Sequence, residues 1–139
     1  MQFQNHTYKF DSNGSRIVLD LAELDAGIKQ ATRAQFATIE TDRGFVFLNA
    51  IECVVLTVRG GAYPSVTVSA RMKSGKAAAI YTFDGGDEAT KAVARKMVYL
   101  IQRHIYLTPW ESLLVKDIDK LRDKAREACL LENINKAQE

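Results

Sequence analysis

The run Arg59-Gly60-Gly61-Ala62-Tyr63 gathers more ligand-holding residue types than any other stretch of this chain. Consecutive glycines let backbone N–H groups converge on an anion, and an arginine guanidinium offers a planar fork to phosphate or carboxylate. Tyr63 adds a ring on which a base could stack. Arg71 and Lys73, on the polar side of a strand just downstream, would bring further positive charge. The ligand this set suits is small and anionic, a nucleotide for example, held by Arg59, Gly60, Gly61, Tyr63, Arg71 and Lys73. The same residues have a plainer reading as a Gly-Gly turn that ends a strand, with charges that keep a sheet face soluble.

No other stretch nominates a reaction. The chain has no G-x-S-x-G, H-E-x-x-H, Walker loop or G-x-G-x-x-G, so no catalytic residue is assigned, no cofactor is expected, and a non-enzymatic protein is the favoured reading. A site assembled from loops would escape such a search. His104 sits near a helix C-terminus, where a charged imidazole is stabilised, and this suits a local electrostatic role. His6 lies beside a hairpin strand and reads as a surface or edge residue. Cys53 and Cys129 are far in sequence from both histidines and lack the spacing of a zinc site, so no metal is expected. They read as small, reduced, buried hydrophobes. Asp117, Asp119 and Asp123 lie among lysines, as on a solvated helix face, and not as an acid–base pair.

With 139 residues, 47% of them apolar and 26% charged, the chain has the size and mix of one globular domain, taken as residues 1–139. Its 19 basic and 17 acidic residues are too nearly balanced to mark a nucleic-acid binder. No clustering of exposed aromatics argues for one either. Arg71, Lys73 and Lys76 on the last hairpin keep nucleic acid as a third reading, one whose affinity would fall steeply with salt. The segment Met1–His6 has no charged leader and no apolar core of a signal peptide, and no apolar run reaches membrane-spanning length. A cytoplasmic protein with no membrane partner is expected, and an accessory protein of phage or plasmid type would look the same.

The elements that must position these residues come in two blocks. Residues 1–83 read as an antiparallel sheet of about six strands in hairpins. Tyr8–Phe10 and Arg16–Leu21 flank Asn13-Gly14, a strong hairpin turn. Residues 22–36 read as a short helix or an irregular crossover. Ala37–Glu40 and Phe45–Leu48 flank Thr41-Asp42-Arg43-Gly44, with Gly44 free to take positive φ. The almost continuous apolar run Ile51–Val58 predicts a central strand covered on both faces. In the last hairpin Val66, Val68, Ala70 and Met72 alternate with Thr67, Ser69, Arg71 and Lys73, and Ala79, Tyr81 and Phe83 carry the apolar face onward. One face of that hairpin is left to water or to a polar ligand.

Helices follow, which makes the fold α+β. Residues 84–106 hold a helix capped by Asp87, with Ala89, Val93, Met97, Leu100, Ile101 and Ile105 as the stripe that packs on the sheet. Thr108-Pro109-Trp110-Glu111 has the residues of a capping box with proline at the first helical position, and predicts a second helix over 108–132. Along it Leu114, Ile118, Leu121, Ala125 and Ala128 form a narrow heptad seam, flanked by the i,i+3 pairs Lys116–Asp119, Lys120–Asp123 and Lys124–Glu127. A narrow seam with charged flanks suits pairing with a second copy. The leading expectation is therefore an interaction module that forms a homo-oligomer through Trp110, Leu114, Ile118, Leu121 and Ala125. A protein partner of another kind, or the small anionic ligand above, are the other partners considered.

Overall fold

The structure is a computed structural model and describes residues 6–10, 16–20, 26, 28–29 and 35–138, the first two segments by backbone alone. Strands β1 (His6–Phe10) and β2 (Arg16–Asp20) pair antiparallel, with Phe10 opposite Arg16. The Asn13-Gly14 turn and the His6 side chain lie outside the described residues. Within 22–36 the described residues Ala26, Ile28, Lys29, Gln35 and Phe36 are helical. Strands β3 (Thr38–Thr41) and β4 (Gly44–Phe47) form the expected second hairpin, and Gly44 takes the positive φ, +107°, that its turn requires. A short 3-10 turn, Leu48–Ala50, leads into β5 (Ile51–Arg59), β6 (Ser65–Met72) and β7 (Ala77–Asp84).

These last three strands make an antiparallel sheet in the order β5-β6-β7. The chain is α+β with antiparallel pairing, as expected, but the strands do not join into one six-stranded layer. From Thr38 to Asp84 they divide into a hairpin of two and a sheet of three. The central strand is also a different one. β6 lies in the middle, with Val66, Val68 and Ala70 fully buried, while β5 is an edge whose last three residues are exposed. An apolar run by itself does not distinguish an inner strand from an edge that another element covers. Here the cover is helical: the Val54 N–H, turned away from β6, donates to Gln102 Oε1 at 2.8 Å. The glutamine so occupies part of an edge that would otherwise be open to another chain. Gln102→Leu is expected to cost about 1–3 kcal/mol in urea unfolding, since it orphans a buried N–H, and Gln102→Glu should recover most of that by restoring an acceptor.

A bulge shifts the alternation in β7. Pairing runs Val66–Phe83 and Val68–Tyr81, then slips, so that Ser69 faces Ala79 and Ala70 faces Ala78. Ala78 is therefore buried beside the apolar residues of β6, and Ala79, placed inward by strict alternation, belongs with Ser69 on the other face.

Helix α1 (Glu88–Leu107) begins as expected, with Asp87 Oδ1 accepting from the Thr90 N–H at 3.3 Å. It packs on β5 and β6 through Ala94, Met97 and Ile101, all fully buried. The bond to Thr90 holds the Asp87 carboxyl below its ordinary pKa. A depressed folded pKa means the cap is in place above the unfolded value and is lost as pH falls through the folded one. Asp87→Asn keeps an acceptor without a titrating group, so it should flatten the acid limb of a stability–pH curve followed by circular dichroism.

The second helix starts later than its local signal. Thr108 does not open it; the Thr108 N–H and Oγ1 both donate to the His104 carbonyl, at 2.8 and 3.0 Å, and so close α1. Helix α2 spans Val115–Ala137, with Leu114 as its N-cap and the Asp117 carboxylate accepting from the Leu114 N–H at 2.9 Å. The loop between turns at Pro109-Trp110, and its second half is held against β3. The Leu113 N–H donates to the Thr38 carbonyl at 2.8 Å, the Glu40 N–H donates to the Leu113 carbonyl at 3.0 Å, and the Thr38 N–H donates to Ser112 Oγ at 3.0 Å. Leu113 enters the core as a parallel bridge partner of Ile39. Three long-range hydrogen bonds and a buried leucine outweigh one capping box. Helix α2 then lies against α1, and Ile118 and Ala125 are buried there.

Candidate functional site

The residues nominated for an anion do not converge. Arg59 ends β5 opposite Ser65, whereas Arg71 lies at the other end of β6, opposite Cys53 and Ala77. Arg71 lies six steps along the strand from Ser65, about 20 Å at the usual rise per residue. Lys73 sits in the turn beyond Met72, on the Arg71 side. The set is thus two exposed groups at opposite ends of one sheet. In the β5–β6 loop Gly61 has φ +98° while Gly60 has no positive φ, and Tyr63 is 89% exposed. Its firmest anchor is ordinary, the Gly85 N–H donating to the Pro64 carbonyl at 2.9 Å.

The seam nominated for a second copy is largely spent inside the chain. Ile118 and Ala125 are buried, Leu121 packs half-buried on the same core, and Trp110 is half-buried in the loop after α1. Of the five, Leu114 alone keeps much surface, at 41%. The flanking charges also choose other partners. Arg122 takes both Asp119 and Asp123, at 3.3 and 3.2 Å, and Lys96 of α1 pairs with Glu132 at 3.4 Å.

Arg122 is the most connected polar group of the helix pair. Its Nη1 donates to Tyr81 Oη at 3.0 Å, and its guanidinium carbon stands 5.4 Å from the centre of that ring. Tyr81 in turn packs edge-on against Phe83, with centroids 4.7 Å apart. The bond to Tyr81, ahead of the contact with Asp123, raises the arginine's pKa above its ordinary value. The cluster fastens α2 to β7. His104 is structural as well. Its Nε2 lies 2.9 Å from the Glu111 carbonyl, which can only accept, and its Nδ1 lies 3.2 Å from Thr108 Oγ1, so the ring clasps both ends of the loop. Cys53 and Cys129 are unpaired and half-buried, and no group of His, Cys, Asp or Glu among the described residues could hold a metal ion.

Two surfaces emerge that the sequence reading did not assemble. On α2 every described residue from Leu130 onward is exposed, and Leu130, Leu131 and Ile134 remain 62%, 54% and 52% accessible. Leu130 and Ile134 continue, at helical spacing, the outward line that Asp123 and Glu127 occupy earlier in the helix. The outer face therefore changes from charged to apolar at Leu130. A groove of about 600 Å³ adjoins it, lined by Ala89, Val93, Cys129 and Leu130 among others.

The second surface is on α1. Arg95, Tyr99, Arg103 and Tyr106 fall on one outward strip, and all four are exposed, the tyrosines at 57% and 81%. Two exposed aromatic residues thus share one helix strip with two basic residues. The spacing of four, four and three was present in the sequence, on the side of the helix opposite its apolar stripe.

No known protein family, curated protein sequence or solved structure matches the chain. No helix of the described residues is long and apolar enough to cross a membrane.

Proposed function

We propose that the chain is a non-enzymatic interaction module that pairs with a second copy of itself through the C-terminal part of α2. The observation that supports this is the apolar group Leu130, Leu131 and Ile134, left in water at the end of a helix whose outer face is otherwise charged. A twofold, antiparallel packing of two such ends sets Leu130 of each copy against Ile134 of the other. It also brings Glu127 within a turn of Lys136 of the partner subunit, so the charges at the margin agree in sign with the pairing. The surface is small, which places the dimer among weak, reversible associations. The interface moves down the helix from the seam the sequence nominated, because that seam is occupied by α1.

Sedimentation across a wide concentration range tests the reading. The wild type is expected to move from monomer to dimer as concentration rises. Leu130→Glu with Ile134→Glu is expected to remain monomeric with an unchanged circular dichroism spectrum, since both residues are exposed. A wild type that stays monomeric throughout would remove the proposal.

A further inference from the structure

We infer that the outward strip of α1 is a binding surface for single-stranded nucleic acid, with Tyr99 and Tyr106 stacking on bases and Arg95 and Arg103 meeting phosphates. The strip has a composition that differs from the rest of the helical surface. Helix α1 carries four basic residues, Lys91, Arg95, Lys96 and Arg103, and one carboxylate, Glu88, which Lys91 already engages at 3.4 Å. Helix α2, by contrast, mixes both signs along its length. Arg95 and Arg103 have no ion-pair partner among the described residues, although carboxylates abound on the neighbouring helix. Two exposed guanidinium groups left without counter-charge are complementary to a polyanion.

The aromatic residues narrow the class. A solvent-facing tyrosine that serves packing is usually part-covered, yet Tyr106 is 81% exposed and Tyr99 is 57% exposed. Lys96 Nζ, which pairs with Glu132, stands over the Tyr99 ring 5.9 Å from its centre, so the unpaired positive charge of the strip is that of Arg95 and Arg103. Beside this ring runs a shallow groove of about 460 Å³ lined by Ala92, Arg95, Lys96, Tyr99, Cys129 and Glu132. Tyr99 and Tyr106 are seven residues apart, which at the helical rise is about 10 Å. Arg95 and Arg103 are about 12 Å apart by the same measure. Alternation of ring and cation along a line suits an extended strand better than one nucleotide, because each base finds a face and each phosphate a guanidinium. No donor or acceptor pattern on the strip would read base identity, so binding is expected to be tolerant of sequence. The two surfaces adjoin, since Ala92, Cys129 and Glu132 line both grooves, but different side chains carry the two proposals and each has its own test.

Fluorescence anisotropy with labelled oligothymidylate and oligouridylate tests it, with polyphosphate as a base-free polyanion. Both oligonucleotides are expected to bind saturably and with similar affinity, since neither stacking nor phosphate contact reads the 2′-hydroxyl. Tyr99→Leu and Tyr106→Leu should each weaken binding about tenfold, the usual loss of one stacked base. Arg95→Ala with Arg103→Ala should reduce the slope of log affinity against log salt by about 1.4, the amount two lost phosphate contacts remove on a single strand. All four residues are exposed, so circular dichroism of the variants should match the wild type. No saturable binding at low salt overturns the inference. So does polyphosphate binding as tightly as the oligonucleotides, or tyrosine variants that bind like the wild type, because either would leave the rings without a part.

Discussion

Ala78→Asn is expected to destabilise the fold by about 2–4 kcal/mol in urea unfolding, and Ala79→Asn by less than about 1 kcal/mol. The two residues are adjacent in one strand and identical in type, so propensity and composition cannot separate them. The bulge does. Ala78 faces the fully buried Ala70 and is itself 4% exposed, so an amide there is taken out of water. It also adds volume to a close-packed interior. Ala79 faces Ser69 and borders the groove of about 360 Å³ between β7 and the start of α2, where water and the Asp42 carboxylate are within reach. The Ala79 N–H already donates to Asp42 Oδ1 at 3.1 Å. A larger loss at Ala79 than at Ala78 would mean that β7 keeps strict alternation and has no bulge.

Ile39→Ala and Leu113→Ala are each expected to cost about 2–5 kcal/mol, with a coupling of about 0.5–3 kcal/mol when they are combined. Ile39 is fully buried and Leu113 nearly so, and they are bridge partners in one core. Truncating either leaves a void beside the other, so the second truncation removes contacts already weakened by the first. The pair tests the joint between the β3–β4 hairpin and the helices, because the backbone bonds of Leu113 to Thr38 and Glu40 are what hold the loop to β3. Strict additivity in denaturant unfolding would show that the loop does not dock on β3. Thr108→Ala offers a contrast. It touches the end of α1 and not the start of α2, so helix content after Val115 should be unchanged.

Much of the fold was legible because its signals are local. The Asp42-Arg43-Gly44 turn, the apolar side of β6 at Val66, Val68 and Ala70, and the Asp87 cap each depend on residues within one or two turns of chain, and each stands where the sequence put it, although Ser69 on the other side of β6 is buried too. What was not legible depends on contacts that cross the chain. Nothing in Ile51–Val58 announces that Gln102, 48 residues later, will cover its edge. Nothing in Ala77–Asp84 announces the slip that exchanges Ala78 for Ala79. At Thr108 a well-formed local signal lost to a distant one, since β3 claims Leu113 before a helix can form through it. The binding residues fared worse, for a physical reason. Glycine and arginine in a turn serve solubility and chain reversal as readily as recognition, and sequence neighbourhood put Arg59 and Arg71 together when a strand holds them apart. Arg95, Tyr99, Arg103 and Tyr106 were overlooked because a helix distributes one surface over a dozen residues.

The bridge between Leu113 and β3 also sets a timetable for synthesis. Thr38 and Ser112 are 74 positions apart, so a growing polypeptide shows the outer side of the β3–β4 hairpin long before the segment that completes it leaves the ribosome. A large loop has to close before that contact forms, which makes it a late event in folding. During this interval the nascent strand is a ready template for another chain, and aggregation should be greatest when translation stalls between β4 and residue 113.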